Sequence, residues 1–376
     1  MKLKSIKLEG FKSINQDGQT IDFGDTTILI GANGVGKSNI VSFFKMLNYL
    51  TTGALQTYIA SGGFAEAFLY YGSKQTNRIK AAIQFSGEEI NDTYSFTLSH
   101  AAGDILIFTE EILEYQKKNS NRPFTLTLNP GIRESALKDY LRKSSINATQ
   151  KNVSKAIFNL LSGCQVFHFH DTSESSWIKR PGYIEDNQYL RSDAGNLAAF
   201  LYGLKNNSKT YKYYERIVRH IQLVMPQFGD FDLYPSKSNE RYITLNWRDI
   251  ERAYLFGPHQ ISDGSLRFMA LTTLLLQPEL PSVVILDEPE LGLHPSAISY
   301  LAGMVKSASR KCQVIMATQS PRLVDEFDAA NIVIVERNIT NNCSEFKQLD
   351  ETKLQDWLER YSLSELWEKN IIGGQP

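Results

Sequence analysis

The chain has 376 residues, 42% of them hydrophobic, so it is long enough for a large buried core and for two or three modules. Lys and Arg number 40 against 41 Asp and Glu, which excludes a protein that holds nucleic acid by overall charge; any basic binding surface has to be local. Three cysteines, Cys164, Cys312 and Cys343, lie far apart without C-x-x-C spacing, which argues against a disulfide framework or zinc module and for a reducing compartment. The opening "MKLKSIKLEGFKSI" alternates like a strand and carries charges throughout, unlike a signal peptide. No apolar run approaches the ~18 residues of a membrane span. The expectation is a soluble cytoplasmic protein with no membrane partner.

From Lys2 to about Gln116 short alternating runs dominate, among them "RIKAAIQFS" and "YSFTLSH", and predict a mostly antiparallel lobe. Within it, the apolar run Thr26 to Ile30 precedes "GANGVGKSN". This stretch has the full G-x-x-x-x-G-K-S form in Gly31, Gly34, Gly36, Lys37 and Ser38, with Ala32, Asn33 and Val35 inside the loop and Asn39 after it. Apolar Ile40, Phe43, Phe44, Leu47 and Leu50 then recur at helical spacing. Strand, glycine loop and helix together make a phosphate cradle: backbone N–H groups turn inward, and the helix N-terminus adds partial positive charge. Lys37 is expected to reach the β- and γ-phosphates of ATP, and Ser38 to meet Mg²⁺.

Residues 117–255 read as an inserted, mainly helical lid. Its first part is rich in basic residues: Lys117, Lys118, Arg122, Arg133, Lys138, Arg142, Lys143, Lys151 and Lys155 stand against Glu134 and Asp139. That bias suits either a solvated face or a patch for nucleic acid or an acidic partner. "FHFHD", from Phe167 to Asp171, invites a metal reading through His168 and His170. With no further Cys or His cluster nearby in sequence, a polar strand edge is the favoured reading.

From residue 256 onward, an apolar helix, a buried strand, another helix and the strand "QVIMATQ" alternate as in an α/β nucleotide-binding core. Ser262 is a good N-cap for the apolar helix that runs to Leu276, and that helix N-terminus is a second anion-seeking end. Val283 to Leu286 lead into adjacent Asp287 and Glu288. At the C-terminal edge of a parallel sheet, Asp287 is placed to hold Mg²⁺ and Glu288 to polarise the water that attacks the γ-phosphate. The Gly-rich end "IIGGQP" is expected to be disordered.

The set "GANGVGKS", "SDGSLR", "LDEPELGLHP" and "ATQSP" resembles the SMC-like and RecF-like branch of the ABC ATPases, in particular its short bacterial AAA_21-like group. The resemblance implies an ABC ATPase head: a P-loop NTPase core with an antiparallel β lobe, dimerising on ATP binding around two nucleotides. Each would be held by one subunit's Walker A loop and the other's signature helix. It further implies that Ser262 and Gly264 touch the partner's γ-phosphate, that Glu290 to His294 join the two sites, and that Lys12 of the "FKSI" turn lies near the nucleotide. The chain departs from the pattern at Asp263, where a first glycine is usual, and at Gln319, where transporters carry a switch histidine; Gln319 hydrogen-bonds but cannot become cationic. The glutamine loop has only Gln84 as a candidate. These features point to Mg-dependent ATP hydrolysis used as a dimerisation switch, in DNA repair or related processes. An alternative is a sensor subunit that restrains a separately encoded effector in anti-phage defence. A P-loop kinase is disfavoured, since it has no use for a signature helix or for Glu288.

Overall fold

The computed structural model describes residues 1–118, 123–128, 130–143, 147–251 and 254–375. Its centre is a six-stranded sheet in the spatial order Ser344–Gln348, Ile332–Arg337, Thr26–Ile30, Gln313–Thr318, Val283–Asp287 and Cys164–Phe167. All pairings in it are parallel except that of the edge strand Ser344–Gln348. Strands covered on both faces read as continuous apolar runs, and every residue of Thr26–Ile30 and Gln313–Thr318 is buried. Successive side chains point to opposite faces, so the sheet divides two cores. Leu29, Ile285 and Ile315 enter one, whereas Ile28, Leu286 and Met316 enter the other.

The first core contains the helix Lys37–Thr52, which is clamped between this sheet and a second, antiparallel one. The second sheet runs in the order Gln19–Asp22, Lys2–Glu9, Arg78–Ser86, Ile90–Ala101, Ile105–Lys117 and Phe124–Thr127. Packing from two sides explains why Ile40, Phe43, Phe44, Leu47 and Leu50 are all buried, with Phe43 stacked on Phe96 of the antiparallel sheet at 6.5 Å. Gly53 ends the helix in the left-handed region and returns its N–H to the Leu50 carbonyl.

The second core is closed by the helices Asp263–Leu276, Pro295–Ala308, Leu197–Asn206 and Tyr211–Val224. The span 117–255 contributes to both faces: Ala148–Ser162 packs into the first core and Leu197–Asn206 into the second, while Cys164–Phe167 pairs with Val283–Asp287. Among its basic residues, Lys117, Lys118, Arg133, Arg142, Lys143, Lys151 and Lys155 are exposed; Arg122 lies outside the described residues. Among the described residues, no helix is long and apolar enough to cross a membrane.

The glycine-rich end differs from the sequence expectation. Helix Leu363–Glu368 docks through Leu366 and Trp367, and the chain then turns back to the phosphate loop, where Ala32 donates its N–H to the Gly374 carbonyl at 2.8 Å. Gly373 sits at φ +84°, and a β-carbon there would lie 1.8 Å from a Glu336 carboxylate oxygen. Gly373→Ala is therefore expected to undock this segment and to lower stability by about 1–3 kcal/mol. Urea titration checks this; an unchanged midpoint would mean that the contact contributes nothing.

Candidate functional site

Thr26–Ile30, Val283–Asp287 and Gln313–Thr318 are neighbours with parallel register, so the loops that follow them gather at one sheet edge, where open α/β sheets hold ligands. The first of these loops is Gly31 to Gly36. Its Asn33 and Gly34 are exposed with Ser38, while Val35 is buried beneath. Asn39 braces the loop by donating from Nδ2 to the Ser13 hydroxyl at 2.6 Å, and the Ser344 hydroxyl donates to the Val35 carbonyl. Lys37 is only 4% exposed and lies across its own loop, Nζ donating to the carbonyls of Gly31 at 2.6 Å and Ala32 at 2.8 Å. Burial lowers the Lys37 pKa, against the opposing fields of Glu288, Asp287 and Glu290. The loop lysine and the three carboxylates therefore share one electrostatic site.

Each acid occupies a different environment. Among the described residues Asp287 Oδ1 has no hydrogen-bond partner although it is buried, and burial followed by the Glu288 charge raises its pKa. Glu288 has the left-handed φ of +43°, a conformation costly for a residue with a β-carbon and held here by its N–H bond to the Ala317 carbonyl at 2.8 Å. Gln319 donates from Nε2 to Glu288 Oε1, so the residue in the switch position orients this carboxylate directly. Glu290 accepts bonds from the Thr318 hydroxyl and the Gln319 N–H, and burial raises its pKa. Sequence reasoning placed Glu290 in a joining loop but missed this tie to the Gln319 turn; neither partner is near it in sequence.

Lys12, at φ +48°, donates from Nζ to the Ser42 hydroxyl at 2.7 Å. Ser42 stands one helical turn beyond Ser38 on the same face, so Lys12 flanks the loop's helix. Gln84 is elsewhere: it is exposed on the outer face of the antiparallel sheet, bonded to Ser5. Alternation puts its neighbours Ile83 and Phe85 towards the phosphate-loop helix and turns Gln84 away, so it cannot serve as the glutamine loop.

His168 and His170 lie just past their strand with rings 4.0 Å apart. Burial, then His170, depress the His168 pKa to about 4, and His170 Nε2 bonds the Asp287 backbone carbonyl at 2.8 Å. They do not converge with Asp171 as a metal set. Among the described residues, the group with such spacing is Glu66, His100 and Asp104 in the antiparallel lobe.

Ser262 caps the helix Asp263–Leu276 by accepting the Ser265 N–H at 3.2 Å, and both Ser262 and Asp263 are exposed. Arg267, one turn in, bonds the carbonyls of Phe169, His170 and Leu291 at 3.3, 2.9 and 3.0 Å. Gly264 abuts the loop Glu290 to His294 so closely that a β-carbon would lie 2.2 Å from the Gly292 carbonyl oxygen. Only glycine fits at that approach.

The AAA_21 family profile, described as "AAA domain, putative AbiEii toxin, Type IV TA system", matches residues 26–325, which span the phosphate loop, the signature helix and the acidic strand end at Asp287 and Glu288. The chain belongs to the AAA_21 family. A curated relative, "Retron Vc95 probable ATPase" of Vibrio cholerae serotype O1 biovar El Tor, is 24% identical over 89% of this chain and 73% of its own length. Among solved structures, an SMC head bound to the C-terminal winged-helix domain of ScpA aligns with a TM-score of 0.56 at 16% identity, covering 94% of this chain and 99% of its own. An SMC head with an extended coiled coil, bound to the C-terminal domain of ScpA derived from Pyrococcus furiosus, gives 0.53 at 14% identity over 95% and 98%. This AAA_21 protein thus has the fold of an SMC-type ABC ATPase head.

Proposed function

We propose that the protein hydrolyses ATP to ADP and phosphate as an ATP-gated dimerisation switch. In this reading residues 1–116 and 256–376 form one discontinuous ATPase head, with 117–255 inserted between them. The observation that carries the reading is the phosphate loop whose buried Lys37 feels the charges of Glu288, Asp287 and Glu290, while Ser262 and Asp263 present an exposed helix N-terminus. One phosphate loop has no need of a second anion-seeking end, so this end serves a nucleotide on a partner.

The loop N–H groups, with Asn33 and Gly34 on the open side, cradle the phosphates and Lys37 exchanges its two carbonyl partners for phosphate oxygens. Gln319 fixes the Glu288 carboxylate, which takes a proton from water as the water's oxygen bonds to the γ-phosphorus and the bond to ADP breaks. The orphaned Asp287 Oδ1 and the Ser38 hydroxyl are hard oxygen donors that suit Mg²⁺. When bound there, the ion would neutralise phosphate charge. Lys12 guards the flank of the same helix.

A cytoplasmic, DNA-associated role accords with the exposure of the basic residues Arg142, Lys143 and Lys151. The alternative, a sensor that controls a separately encoded effector, draws support from the retron ATPase relative and the toxin wording of the family.

Complementation tests the composite site. A side chain at Gly264 would strike Gly292 within its own subunit, so the exposed cap is the better lesion: Lys37→Ala in one preparation and Ser262→Arg in another. Each homodimer carries a lesion in both sites and is expected to be inactive. In a mixed dimer one site gathers both lesions and the other is intact, so free exchange restores roughly a quarter of parental turnover if the sites act independently. A monomeric Ser262→Arg protein that turns over ATP as fast as the parent would refute the shared site.

A further inference from the structure

Asp263 is the residue that sits least comfortably with a shared nucleotide site. A carboxylate in the first turn stabilises an isolated helix, yet it repels a polyphosphate brought to the same end. The structure holds an answer from a distant part of the chain. Lys179 ends the short turn Trp177–Lys179, which packs beside Pro258–Gln260 just before the signature helix. Its side chain is 5% exposed, and Nζ lies 3.5 Å from Asp263 Oδ1 and 3.8 Å from Glu174 Oε1, beyond hydrogen-bonding distance of both. Its carboxylate neighbours are open to solvent, at 59% for Asp263 and 78% for Glu174, and Glu174 is also engaged by His259 Nδ1 at 2.6 Å. A buried cation is costly unless a counter-charge is present. Here the ammonium is held at a helix N-terminus, behind an acid that faces outward.

We propose that Lys179 is a positioning residue of the shared site: it neutralises Asp263 so that the signature helix N-terminus accepts the triphosphate bound by a second copy of this chain. The inference rests on the composite-site reading. As the partner's phosphates approach, Asp263 turns from them and Lys179 offsets its charge, while Glu174 is engaged by His259, without Lys179 entering the phosphate loop of its own subunit. This assigns a use to a departure from the double-glycine signature, since Asp263 would otherwise oppose closure.

The test is a charge-epistasis series in the Glu288→Gln background, reading the dissociation constant of the ATP-bound dimer by sedimentation. Lys179→Gln is expected to weaken the dimer by at least about tenfold, as an uncompensated like charge at an interface does. Lys179→Arg, which keeps the charge, should stay near the parent. In the double variant with Asp263→Gly, affinity should return to within about threefold of the parent, since the acid that Lys179 serves is gone. Thermal melting of each variant identifies loss of fold, in which case Lys179→Arg and Asp263→Gly alone decide: the former near the parent and the latter at least as tight as it. If Lys179→Gln dimerises like the parent, or Asp263→Gly fails to rescue it, Lys179 has no such role. If the Glu288→Gln parent itself does not dimerise with ATP, the composite-site reading fails instead.

Discussion

Lys37→Ala is expected to lower ATP affinity about 100-fold or more. The substitution removes the loop's own cation, and each charge-assisted hydrogen bond contributes about 1.5–3 kcal/mol. An ammonium that bonds two phosphate oxygens therefore supplies about 3 kcal/mol, or roughly two powers of ten in affinity. The effect has a second source in the free protein: Lys37 is a cation whose charge faces Glu288, Asp287 and Glu290, and it also occupies the carbonyls of Gly31 and Ala32. Without it, three clustered acids repel the incoming phosphates as well as one another. Fluorescent-nucleotide titration gives the affinity. A value within threefold of the parent would remove the phosphate loop from the nucleotide site.

Glu288→Gln is expected to lower turnover by about 10²–10⁴ while nucleotide binding persists, the range a general base supplies. The amide keeps an oxygen that can accept the Gln319 Nε2 bond, and glutamine is no more strained than glutamate at φ +43°, so the turn retains its shape. Asp287 and Ser38 are untouched. What disappears is the basic oxygen, so an ATP-bound dimer should accumulate. Size measurement that finds only monomer with ATP, or turnover near the parent's, would count against Glu288 as the base.

Much of the fold was legible because it depends on period. The apolar run at Thr26 to Ile30, the helical spacing of Ile40, Phe43, Phe44, Leu47 and Leu50, and the capped helix from Ser262 each correspond to an element in the structure. Gln84 shows where periodicity stops: alternation gives the parity of a strand residue, but only the packing decides which parity faces the site. The contacts that shape the site most closely lie far apart in sequence. Glu290 meets Gln319, Lys179 meets Asp263, and Ala32 meets Gly374, all at separations where no short-range pattern carries information. The docked end was misread for the same reason, because glycine-rich composition signals mobility only when nothing waits to receive it.

The bare contact between Gly264 and Gly292 has a mechanical consequence. At that point backbone meets backbone directly, and beside it the Arg267 guanidinium of the same helix ties down the Leu291 carbonyl. Two pieces of backbone meshed so closely behave like gear teeth without play. In the proposed dimer, a push on the Ser262 end would therefore reach the loop that carries Glu290 as displacement of backbone, with little taken up by side-chain rotation.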